Sequence, residues 1–333
     1  PAIRFTLRAD QIDIDRYLPP PGETSEPGAA TPATAAAGGA GGLPVETLRG
    51  LNLDGTLALD SLKAYNLRST DIKIRIKAQD GLLRINPASA KLYGGQYQGD
   101  IKLDARKDIP RISLDEHLNG VQAGPLLKDL SGDDTLLGTA NLKASLTGAG
   151  ATPEQIRRTL NGNAAFSLTN GAVKGVNIVS LIRNAEAVLQ GKSAPQDNQP
   201  NQTDFAELKG SATVTNGLVK NKDLSLKSPL LRIKGKGTIS LPEETIDYLL
   251  KTKIVGSLEG QGGKVRSELK GVTIPVHIGG TFSKPTYTPD LAAALGDSAK
   301  EKAQEEIEKK TQDLLKDKLD KGTADKLLKG LFR

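Results

Sequence analysis

From Leu51 onward the chain alternates. Leu51-Asn-Leu-Asp-Gly-Thr-Leu-Ala-Leu59 and Asp71-Ile-Lys-Ile-Arg-Ile-Lys77 put aliphatic residues at every second position or close to it, with polar ones between. The same period returns at Gly99–Leu103, Ala140–Leu146, Gly162–Leu168, Leu231–Leu241, Ile246–Val255 and Val272–Ile278. Successive side chains of a strand point to opposite faces, so this pattern specifies strands with one apolar and one wetted side. Strands buried on both sides would read as unbroken apolar runs, so the expected sheet is antiparallel with one face in water. About fourteen such strands at roughly 4.8 Å spacing would make a sheet about 65 Å long.

Turn chemistry supports hairpins. Asp80-Gly81, Asn170-Gly171 and Asn216-Gly217 are dipeptides that accept positive φ at both centres of a tight turn. Two of them sit in a repeat, Thr169-Asn-Gly-Ala-Val-Lys174 against Thr215-Asn-Gly-Leu-Val-Lys220, which points to an elongated sheet grown by repetition. Helices are few. Pro153–Leu160 reads as one, with Thr152 as N-cap and Pro153 in the first position, and Gly175–Leu189 as another. The expected organisation is an opening segment 1–18 that joins the sheet and a disordered Pro/Gly/Ala loop over 19–46. A β-groove domain over 47–290 and an amphipathic helical tail over 291–333 follow. In that tail Leu314, Leu315, Leu319, Leu327, Leu328, Leu331 and Phe332 form an apolar stripe suited to docking on the sheet or lying on a membrane. The fold class expected is mainly β: an elongated, curved, incompletely closed antiparallel sheet with a few short helices.

Composition removes most chemistry. The 333 residues contain no Cys, Met or Trp, and only His117 and His277 as imidazoles. Disulfides, thiolate nucleophiles and Cys-ligated metals are excluded. His277 alternates with Val276 and Ile278 and so faces water, and His117 has no ligand partner at a useful spacing. Gly191-Lys192-Ser193 imitates the end of a phosphate loop but has Glu186 where a glycine is needed and follows a helix rather than a strand. Asp133 and Asp134 read as a turn. No catalytic residue, metal ligand or cofactor is expected. The net charge of +6 is modest. Lys73, Arg75 and Lys77, like Lys234 and Lys236, alternate with aliphatics and have no aromatic platform beside them, as a wetted sheet face requires and a nucleic-acid site does not. No stretch approaches the roughly 18–20 apolar residues that cross a bilayer. The chain does not open on methionine, which implies a fragment or a processed chain.

The aliphatic face is what remains. With aromatics at 3% its wall is Leu, Ile, Val and Ala. It either closes on itself as a dry core or stays open as a groove whose smooth wall suits acyl chains. The residues expected to line a groove are Leu57, Leu59, Ile72, Ile74, Ile76, Leu142 and Leu146, followed by Phe166, Leu168, Val214, Ile233, Ile239, Leu250, Ile274, Val276 and Ile278.

Several segments resemble the C-terminal region of AsmA family proteins, in the family's order: Phe5–Pro20, Leu92-Tyr-Gly-Gly95, Leu118–Leu127, Asn170–Ile178, Thr203-Asp-Phe205, Ser228–Gly235 and Ile274–Thr281. The resemblance implies a Gram-negative envelope protein, tethered to the inner membrane by an upstream helix absent from this sequence, with its bulk in the periplasm. It implies a part in outer-membrane biogenesis and a likeness to bridge-like lipid transfer proteins, whose β-taco sheets enclose a hydrophobic groove. The expected partners are phospholipid acyl chains, the membrane and other envelope proteins, with no nucleic acid. The expected function is non-enzymatic phospholipid transport from inner to outer membrane. The alternative is a closed β-scaffold that influences assembly or insertion of outer-membrane proteins.

Overall fold

The structure, a computed structural model, describes residues 3–17, 43–189, 193, 199–255, 271–291, 293–294 and 296. Fourteen strands form one sheet: β1 (Ile3–Asp13), β2 (Leu53–Ala64), β3 (Leu67–Gln79), β4 (Leu82–Leu92), β5 (Gly95–Asp104), β6 (Arg111–Gln122) and β7 (Thr139–Ala149), then β8 (Asn161–Lys174), β9 (Gln202–Thr215), β10 (Leu218–Lys227), β11 (Leu231–Ser240), β12 (Thr245–Ile254), β13 (Thr273–Gly280) and β14 (Pro285–Pro289). Each strand pairs with its neighbours in sequence, from β1 at one edge to β14 at the other, and the two edges are not joined. The sheet is therefore long and unclosed. Among the described residues a 3₁₀ turn (Ile14–Tyr17) and the short α-helices α1 (Val45–Gly50), α2 (Ala123–Ser131), α3 (Pro153–Thr159) and α4 (Ile178–Leu189) accompany it.

The hairpin connections use the turns the sequence offers. Asp80-Gly81 and Asn216-Gly217 both have positive φ, at 50° and 78° and at 49° and 76°, as does Tyr93-Gly94 between β4 and β5 at 44° and 79°. The primed turn they make carries the right-handed twist of the strands it joins. At α3 the Thr152 side chain accepts a hydrogen bond from the Gln155 amide at 3.2 Å, the N-cap expected there.

Two expectations are corrected. The sheet is antiparallel except at its start, where β1 runs parallel to β2 in the register Ile3↔Leu53 to Asp13↔Lys63. Residues 14–52 separate the two strands, and a connection of that length returns the chain to the same end of the sheet, which a hairpin cannot do. The second correction concerns Asn170-Gly171, which does not turn the chain. Asn170 has φ 51°, yet β8 continues through it and pairs with β9 on both sides, Thr169↔Glu207 and Gly171↔Phe205. Residues 135–137 run along the far edge of this stretch, with the Leu137 amide donating to the Ala172 carbonyl at 2.9 Å and Leu136 bridging Val173. Pairing on both edges holds the backbone straight through a sequence that would otherwise fold back.

Gly171 is required by that crowding. A Cβ there would fall on the Leu137 carbonyl oxygen and within 2.6 Å of Phe205 Cζ. Gly171→Ala is expected to lower stability by about 3 kcal/mol, because fixed backbone on one side and a packed ring on the other leave no direction for relief. A urea titration reads this as a lower midpoint, and an unchanged midpoint would contradict the close approach.

The sheet curls at its C-terminal end. α4 touches both β9 and β14, strands five positions apart. Flat spacing would separate them by about 24 Å, whereas a helix with its side chains is about 10 Å across, so the sheet must wrap the helix. Ile178 and Ile182 of α4 are buried against Phe205, Leu231, Ile233, Leu250, Ile254, Ile274 and Val276. Leu291 and Ala294, after β14, complete the same cluster. A smaller cluster of Leu48, Leu103 and Ala105 packs α1 on the opposite half. The edge at β14 is short and carries Pro285 and Pro289, which blunts it against further pairing.

Most of the expected 19–46 loop and the apolar stripe Leu314, Leu315, Leu319, Leu327, Leu328, Leu331 and Phe332 lie outside the described residues. Val45 and Glu46, at the end of that loop, begin α1.

Candidate apolar groove

Cross-strand register decides which side chains share a face. One rung crosses the whole sheet: Leu7, Leu57, Ile74, Ala88, Gly99, Glu116, Ala144, Ala164, Ala212, Asn221, Gly237, Tyr248, Ile278 and Tyr287 are successive partners from β1 to β14. Directly opposite residues point the same way, so this rung fixes the apolar face. Its central members are mostly Ala and Gly, a low floor. A flanking rung of larger aliphatics runs Ile76, Ile85, Ile101, Leu114 and Leu146, then, past Gly162, Val214, Val219, Ile239 and Ile246. On the other side Tyr97, Leu118, Leu142 and Phe166 are successive partners.

All sixteen residues expected to line a groove fall on this face, but in two different environments. Leu168, Val214, Ile233, Leu250, Ile274 and Val276 are buried, most of them beneath α4 and the segment after β14. Leu57, Ile74, Ile76, Leu142 and Leu146 are only half-buried and belong to no core cluster. Phe166 lies at the boundary, packed against the cluster from outside. Ile239 and Ile278 are also half-buried, while Leu59 and Ile72 are buried at the far end of the open half. The face is a filled core towards β14 and an open trough over β2–β7.

Within the open half lies a cavity of about 370 Å³ walled by Ile72, Ile74, Ala88, Tyr97, Leu118 and, from α2, Leu126. A larger concavity of about 770 Å³ lies across β5–β10, but its wall is mixed, with Gln96, Gln98, His117, Asn141 and Lys143 among residues such as Ala165 and Phe166. Volume does not decide between them. The smaller one, with scarcely any polar lining, offers hydrocarbon a wall of its own kind.

The wetted face carries the charges. Lys73, Arg75, Lys77, Lys234 and Lys236 are exposed, as are His117 and His277. Arg75 pairs with Asp54 at 3.0 Å, and His117 Nε2 lies 3.7 Å from Asp115. Asp134 pairs with Lys174 at 2.7 Å. Lys227 and then Lys209 hold the Glu207 carboxyl down to about 2. Among the described residues no group of three potential ligands is placed to hold a metal ion, and no helix is long and apolar enough to cross a membrane.

One ionisable side chain breaks the apolar face. Glu116 occupies the floor rung between Gly99 and Ala144. Burial raises its carboxyl above the usual range, an effect the neighbouring Tyr97 hydroxyl partly offsets. Burial, and then the carboxylate, likewise raises Tyr97. Both side chains use the space left by the missing Cβ of Gly99. The signal was present in Arg111-Ile-Ser-Leu-Asp-Glu-His-Leu118, where Glu116 shares parity with Ile112, Leu114 and Leu118. α2 was also missed, and its first turn, Ala123-Gly124-Pro125, has proline where a helix tolerates it.

An unclosed single sheet, apolar on one side and ionic on the other, defines a groove-type β-protein. The chain belongs to the AsmA family, whose profile matches residues 1–224. It is 27% identical over 241 residues to the protein AsmA of Escherichia coli (strain K12), an alignment that covers 72% of this chain and 39% of that protein. The match therefore spans well under half of the relative's length. No solved structure matches the chain.

Proposed function

We propose that this sheet is a non-catalytic trough that holds phospholipid acyl chains in the periplasm and assists their movement from the inner to the outer membrane. The observation that carries the reading is the half-buried aliphatic wall over β2–β7: Leu57, Ile74, Ile76, Leu142 and Leu146 belong to no core cluster, and α1 and α2 pack only at its two margins, on Leu103 and beside Leu118. Exposure to water costs about 0.8 kcal/mol per CH₂. A two-chain lipid of roughly thirty CH₂ groups thus faces more than 20 kcal/mol, and an aliphatic trough removes most of that without fixing the lipid in one register. Membership of the AsmA family supports the envelope setting that the sequence resemblance implies. Outer-membrane biogenesis, an inner-membrane tether and envelope protein partners are part of the same proposal.

The competing reading, a dry scaffold for outer-membrane protein assembly, draws on the packed half around α4. Lipid content separates the two. The protein purified without detergent is expected to carry extractable phospholipid in stoichiometric amount and, once stripped, to take up a fluorescent fatty-acid probe saturably. A lipid-free preparation that takes up no probe would leave only the scaffold.

A further inference from the structure

Glu116 has no place in a wall meant only for hydrocarbon. Register holds it on the trough floor, and its Oε2 has almost no accessible surface and, among the described residues, no hydrogen bond of good geometry, with the Tyr97 hydroxyl standing beside the carboxyl. A carboxylate so placed has given up water for one neighbouring donor, the Tyr97 hydroxyl, and keeps acceptor capacity to spare. Its own rung, with Ala144 and Ala164, and the flanking Leu114, Leu118 and Leu142 bring no cation to this face, and Arg68, which borders the cavity, is exposed and lies 3.9 Å from Asp129. The cations nearest in sequence and register, Lys102 and Lys143, have the opposite parity and lie exposed on the wetted face. Beside the carboxylate stands Tyr97, whose ring also walls the 370 Å³ apolar cavity. Carboxylate, phenol and aliphatic pocket thus adjoin one another.

We propose that Glu116 and Tyr97 form a headgroup-reading station in the trough, which accepts phospholipids bearing a primary ammonium group and disfavours those with net negative charge. The inference rests on the lipid-binding reading above and goes beyond it by naming the lipid class. A primary ammonium brings three N–H donors and a positive charge, so one donor fills Oε2 with a charge-assisted bond. The apolar cavity beside Tyr97 takes hydrocarbon of the same molecule. A quaternary ammonium has no N–H and offers Oε2 only charge. A glycerol headgroup leaves the lipid anionic and sets its phosphate against the carboxylate.

The test loads the stripped full chain from vesicles containing equal amounts of dioleoyl phosphatidylethanolamine, phosphatidylcholine and phosphatidylglycerol, and counts bound lipids by mass spectrometry. The wild type is expected to enrich the ethanolamine lipid about fivefold over the glycerol lipid, the scale of one charge-assisted hydrogen bond partly screened by water. In Glu116→Gln the ratio of ethanolamine to glycerol lipid among the lipids still bound falls to that of the vesicles. Tyr97→Phe keeps the ring over Gly99 and lowers the ratio partway. A wild type without preference, or a preference retained in Glu116→Gln, overturns the station and leaves the trough standing. A wild type that takes up no lipid overturns the trough itself.

Discussion

Ile182→Ala is expected to lower the free energy of unfolding by about 3 kcal/mol, while Ile74→Ala costs about 1 kcal/mol, although both remove the same atoms, one from the helix packed on the apolar face and one from the face itself. Ile182 lies in α4 with 0% of its surface exposed, in one cluster with strands from β9 to β13. Truncation there leaves a void that cannot collapse, because hydrogen-bonded strands hold one wall and the helix itself holds the other. Ile74 stands half-buried on β3, so its truncation forfeits only part of a transfer energy and opens no sealed cavity. Urea titrations of the two variants, compared through their midpoints at equal slope, check this. Equal losses would mean that the sheet is not divided into a packed half and an open one.

That division explains what could be read in advance. Alternation makes each residue's face a matter of parity, and parity survives across hydrogen-bonded neighbours. Leu57 on β2 and Ile278 on β13, far apart in sequence, could therefore be placed on one face from local pattern alone. Which stretch of that face is covered is a different question. The helix expected over Gly175–Leu189, observed as α4 (Ile178–Leu189), was legible from its own periodicity, but nothing local states that β14 curls back to meet it, and so the burial of Ile274 beneath it was not legible. Asn170-Gly171 shows local chemistry yielding to tertiary pairing, since residues 135–137 supply a neighbour that holds the strand straight. The direction of β1 was lost for a similar reason: β1 has no hairpin to fix it. Glu116 was the reverse case. Its parity was plain, and its placement followed from the same rule that placed Leu114 and Leu118.

The functional counterpart is Ile74→Asp combined with Leu142→Asp, which is expected to abolish phospholipid co-purification while the protein stays folded. Both side chains point into the open half, on β3 and β7. Each aspartate there keeps enough water contact to remain ionised, so the fold loses little, but a passing acyl chain would have to desolvate two carboxylates to lie along the floor. Desolvation of one charge already costs several kcal/mol, comparable to the gain from burying several CH₂ groups, so two such sites interrupt the wall. Ile274→Asp is the contrasting control: that residue is 0% exposed inside the packed cluster, and a carboxylate there should unfold the C-terminal half rather than merely empty the trough. Circular dichroism and lipid phosphorus, measured on the same preparations, separate the outcomes. A folded double variant with wild-type lipid content would remove the open half of the sheet as the place where hydrocarbon rests.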